Sequence, residues 1–107
     1  YFLPPTGMIV HQLDHLEVWN VEPLGVGRSR FTASVYAPSR PENDRQREYF
    51  VKNLELLLHV TGTEDFPAIE DIQRHLASGA MQHVVYGKIE APLAHFHAEM
   101  NKAVANA

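Results

Sequence analysis

The stretch Thr61-Gly62-Thr63-Glu64-Asp65-Phe66-Pro67 constrains this chain most, because it separates two helical patterns. Upstream, Phe50, Leu54, Leu57 and Leu58 recur at i, i+4, i+7 and i+8, thickened by Tyr49 and Leu56, with Arg45, Arg47, Lys52 and Glu55 opposite. That stripe predicts a helix over about 43–60 lying with one face on a sheet. Its start is signalled by Ser39 as cap, the early Pro41, and Glu42 three residues after the cap. Gly62 is expected to end it. A second helix is predicted from Asp65 to Ala77, with Pro67 in its first turn, Ile69, Ile72 and Leu76 inward, and Gly79 as stop. Asp65 then sits at a junction, where its carboxylate can point into a cleft. There it can cap the second helix, a role worth about 1 kcal/mol, or ligate a metal. A carboxylate has two oxygens, so the two roles are compatible.

The N-terminal third alternates with period two. Ile9, His11 and Leu13 fall on one strand face, with Met8, Val10 and Gln12 on the other. Leu16, Val18 and Asn20 alternate with Glu17, Trp19 and Val21, and Phe31, Ala33, Val35 and Ala37 line the inner face of a third strand. Residues 23–27 read as a turn. Three strands on short turns predict an antiparallel meander, completed by strands from elsewhere. Residues 81–89 fit either a short strand or an extended loop. A last helix is predicted over about 91–105, with Leu93, Phe96, Met100 and Val104 as its stripe. Strands followed by helices make the fold class α+β.

Composition removes several functions. A net charge of −4 gives no electrostatic footprint for nucleic acid. The apolar runs are too short to span a bilayer. Without cysteine the chain holds no disulfide, zinc ribbon or cysteine-ligated cluster. There is no signal peptide, consistent with a cytoplasmic location, and the start at Tyr1 reads as a piece of a longer protein. Seven histidines invite metal readings, but spacing opposes them. His11 and His15 lie roughly 13 Å apart on a strand and read as edge or surface histidines. His95 and His97 lie about 200° apart around a helix.

Glu64-Asp65, then Gln73-Arg74-His75-Leu76-Ala77-Ser78-Gly79-Ala80, then Gly87-Lys88-Ile89-Glu90 and Leu93-Ala94-His95-Phe96-His97 form a fairly specific combination. It resembles the C-terminal half of the catalytic domain of Rieske non-haem iron oxygenase α subunits, the ring-hydroxylating dioxygenases. Leu3-Pro4-Pro5-Thr6-Gly7-Met8-Ile9 and His15-Leu16-Glu17-Val18-Trp19 resemble two strands of that family, with Pro5 where the family usually has asparagine. The likeness runs from about Phe2 to about Val104.

The resemblance implies a helix-grip fold, an antiparallel sheet packed on a long C-terminal helix. It also implies that residues 1–107 are the C-terminal portion of an α-subunit catalytic domain, without the Rieske domain or the helix carrying two histidine ligands. Asp65 matches the family's carboxylate ligand to a mononuclear Fe(II). A [2Fe–2S] centre belongs to the parent protein only. Substrate neighbours carried over are Ile9, His11, Leu58 and Thr61, and the substrate class is a neutral aromatic small molecule. Implied partners of the parent are a ferredoxin or reductase and further copies of itself, as a trimer. No catalytic residue is assigned within the chain, and alone it is expected to be inactive. The alternative is a non-enzymatic helix-grip module that binds an apolar small molecule.

Overall fold

A computed structural model describes residues 1–106. Four strands, β1 (Phe2–Leu3), β2 (Gly7–His11), β3 (Leu16–Gly25) and β4 (Arg28–Tyr36), pair antiparallel in the order β1-β2-β3-β4. The sheet therefore has one strand more than the alternation predicts. The turn through Pro4 and Pro5 folds Phe2 and Leu3 back onto Met8 and Gly7. Gly7 permits that approach, since a Cβ there would lie 3.2 Å from the Leu3 Cβ and 3.3 Å from its carbonyl oxygen.

The turn expected over 23–27 is shorter than predicted. β3 continues through Pro23 to Gly25, and only Val26 and Gly27 turn the chain. Pro23 lacks a ladder donor, and the strand accommodates it through a register irregularity between Pro23 and Gly25. Gly27 closes the hairpin at φ 74°, a conformation that suits glycine.

Register fixes the two sheet faces. Met8 pairs with Trp19 and Trp19 with Ala33; Val10 pairs with Glu17 and Glu17 with Val35; Val21 pairs with Phe31. These residues share one face. Ile9, Val18 and Ser34, with His11, Leu16 and Tyr36, share the other.

The helix α1 (Asp44–Val60) lies against β4. Its cap is Asn43, four residues after the expected Ser39. Asn43 Oδ1 accepts from the Gln46 N–H at 2.9 Å, while Gln46 Oε1 accepts from the Glu42 N–H at 2.8 Å. Asparagine competes well for this position, and Gln46 reaches back past the cap to the N–H of the residue before it.

The break expected at Gly62 does not form. Val60 leads directly into a π-helical turn, Thr61–Asp65, and then into α2 (Phe66–Ala77). Thr61 and Phe66 both keep right-handed helical angles, so Asp65 is not an N-cap. Gly62 and Pro67 read as breakers in sequence, yet one wide turn absorbs both. Proline lacks an N–H and clashes with the carbonyl four residues back; a π turn moves that carbonyl aside. α2 stops as predicted at Gly79, which has φ 75° and donates its N–H to the Leu76 carbonyl at 3.1 Å.

Burial inverts the expected pattern. Among the described residues no apolar side chain is fully buried, and Ile69, Ile72 and Leu76, expected inward, are exposed. The buried side chains are His15, Glu17 and Thr61, at 8%, 6% and 4% exposure. Aromatic edges tie the elements together: Trp19 to Phe31 at 5.6 Å, Phe31 to Phe66 at 5.1 Å, and His15 to Phe50 at 6.1 Å between ring centroids.

The chain forms two compact units, Tyr1–Arg74 and a second beginning at His75. In the second, residues 81–87 have no regular structure, so the extended-loop reading holds there. α3 (Ala91–Ala105) has the predicted bounds, with Pro92 in its first turn and the Tyr86 ring 5.7 Å from that of His97. No helix among the described residues is long and apolar enough to cross a membrane.

Candidate functional site

The loop between β2 and β3 brings Asp14 and His15 under α1. His15 Nδ1 lies 2.7 Å from Asp14 Oδ1, and the Tyr49 hydroxyl of α1 also donates to that carboxylate. On β3, the Glu17 carboxylate points to the same side and accepts from Gln12 Nε2 and from Trp19 Nε1, each at 3.0 Å. Asp14 is held ionised, so His15 Nδ1 carries the proton it donates. His15 Nε2 then faces Glu17 Oε1 at 3.7 Å, beyond hydrogen-bond range, and has no other partner among the described residues. An open groove of ≈ 540 Å³ runs beside this knot, walled by Leu13, Leu56, Leu57 and Val60.

The Tyr49 hydroxyl, and then His15, hold the Asp14 carboxyl below the usual carboxylate range. The same bond from Tyr49 to Asp14 raises the Tyr49 phenol above its ordinary range. A lowered carboxyl contributes stability above its unfolded value of about 3.9, lost as pH falls through the folded value. A raised phenol contributes stability below about 10, lost as pH rises through the folded value. Tyr49→Phe is therefore expected to lower the urea midpoint between those limits and to flatten both flanks of its pH profile. Identical profiles for both proteins would show that this bond carries no stability.

The π turn holds the residues singled out by resemblance on the helical side. Asp65 is exposed at its end, with no ion pair or side-chain hydrogen bond among the described residues. Thr61 is buried at its start, and Leu58 is exposed one turn before. Ile9 is half-buried and His11 exposed, on the sheet face opposite the one that carries Glu17 toward α1. The structure thus brings Leu58, Thr61 and Asp65 together on one continuous helix and places Ile9 and His11 apart from them.

Among the described residues, no group of three or more His, Cys, Asp or Glu side chains could hold a metal ion. Asp65 fits the part of a single anionic ligand, being accessible and uncommitted.

The polar knot escaped the sequence reading. His15 was expected at an edge or surface and is buried instead, because the β2–β3 loop tucks it against the Phe50 ring. The available signal was Glu17, a charged residue in register with Val10 and Val35 on an otherwise apolar row.

An antiparallel meander with a long helix on one face, leading through a π turn to an exposed carboxylate, defines an α+β domain. The chain belongs to a family of oxygenase domains: the family described as ring hydroxylating alpha subunit (catalytic domain) matches residues 1–106. No curated protein and no solved structure matches the chain.

Proposed function

We propose that this chain is the C-terminal part of the catalytic domain of a Rieske-type α subunit, with the Rieske domain and the two-histidine helix carried by the rest of its parent. The family match over residues 1–106 carries this reading, and the free Asp65 carboxylate supports it. When bound, Fe(II) and a [2Fe–2S] centre supply O₂ activation and electrons for hydroxylating an aromatic ring. This chain's own part is to present Asp65 as the hard anionic ligand beside two imidazoles. Leu58 and Thr61 on the helix would border an aromatic substrate, while Ile9 and His11, carried over by resemblance, would reach it only from the other sheet face. A ferredoxin or reductase would deliver electrons to a cytoplasmic trimer engaged in aromatic catabolism.

Asp65→Ala in the full-length protein tests the assignment. Iron content is expected to fall at least about tenfold, in line with loss of a ligand, while the [2Fe–2S] absorption spectrum is kept. Mononuclear iron retained at the wild-type level would remove Asp65 from the site.

A further inference from the structure

The switch from α1 into the π turn is held by side chains. The Thr61 N–H is shared between the Leu57 and Leu58 carbonyls, and its hydroxyl donates to the same pair at 2.8 and 3.4 Å. The Thr63 hydroxyl lies 2.8 Å from the His59 carbonyl and 3.4 Å from that of Val60. The Phe66 N–H then closes the wide turn on the Thr61 carbonyl. Just before the wide turn, two threonine hydroxyls compete with the amides for the four carbonyls of residues 57–60. Thr61 is also buried at 4% exposure, so its methyl is packed as well as its hydroxyl bonded.

We propose that Thr61, seconded by Thr63, is a positioning residue that holds the π register and so sets the direction of Asp65. One residue in an α-helix turns by about 100°, so reverting to plain α pairing would swing the Asp65 side chain by roughly that angle. Hydroxyls bonded to carbonyls four residues back bend and loosen helices, which is the local effect a wide turn needs. Thr61, sited beside the substrate by resemblance, thus has its hydroxyl committed to the backbone. The link to iron rests on Asp65 being a ligand; the link to register does not.

The test uses the intact protein with Thr61→Val, Thr61→Ser and Thr63→Val, each read by crystal structure and by iron content. In Thr61→Val the Phe66 N–H is expected to move from the Thr61 carbonyl to that of Gly62, and iron affinity to fall about tenfold, as for other groups that orient a ligand. Thr61→Ser restores the Thr61 pairing and keeps iron within about twofold. Should Thr61→Val fail to fold, the exposed Thr63→Val decides through the same shift of the Phe66 bond. Retention of the Phe66–Thr61 bond in every valine variant that folds overturns the proposal. A shifted bond with undiminished iron upholds Thr61 as the holder of the register and instead removes Asp65 as a ligand.

Discussion

Replacing Glu17 with alanine is expected to lower the unfolding free energy of this chain by about 3–5 kcal/mol, the usual cost of stripping one partner from a buried polar network. Glu17 is 6% exposed and accepts from both Gln12 and Trp19, with His15 3.7 Å away. Alanine would leave those half-buried donors under α1 without their acceptor. A residue such as Leu16, 39% exposed, has much less apolar area to lose on truncation. The polar knot therefore outranks individual apolar contacts in a chain whose described residues include no fully buried apolar side chain. Glu17→Gln keeps the shape and one acceptor oxygen, so about 1–2 kcal/mol is expected there from the lost charge assistance. Urea unfolding followed by the fluorescence of Trp19, the chain's single tryptophan, measures both. A loss below 1 kcal/mol for Glu17→Ala would mean that the network adds little to stability.

Periodicity carried the elements, while the connections depended on competition that periodicity does not report. The alternation of residues 29–37 located β4, and the stripe of Phe50, Leu54 and Leu57 located α1, because each pattern repeats over several turns or pleats. Ser39 and Asn43 are both good caps, each with a Glu or Gln three residues on, so the sequence pattern does not separate them; in the fold Asn43 takes the Gln46 N–H. Gly62 and Pro67 are ordinary breakers, but Thr61 and Thr63 supply the hydroxyls that let a helix run through both. Strand alternation alone also left open whether Glu17 or Leu16 turns inward. The β4 register settles it, since Phe31 and Val35 put Glu17 and Trp19 on the face toward α1. Asp65 was singled out by resemblance alone, and its place at the end of a π turn rather than at a helix cap was not legible in the sequence.

Phe31→Ala is the change expected to loosen the Asp65 region most without touching the helix itself. The Phe31 ring meets Trp19 at 5.6 Å and 74° and Phe66 at 5.1 Å and 70°, both edge-on. Phe66 follows Asp65 directly, so Phe31 fixes the sheet to the first residue of α2. Full burial would make the loss 3–5 kcal/mol, and each aromatic pair adds about 0.5–1.5 beyond area. Phe31 is only half-buried, which lowers the expected total to about 2–4 kcal/mol. Phe31→Leu keeps most of the apolar contact but gives up the edge-on geometry, and should recover at least half of that. The loss should also be local. Amide exchange in the π turn and the first turn of α2 should speed up well beyond that of the end of the β2–β3 ladder at His11 and Leu16, remote in register from Phe31. Equal acceleration everywhere would show that Phe31 only supports the global fold. Confined acceleration would make it the sheet's hold on the turn that aims Asp65.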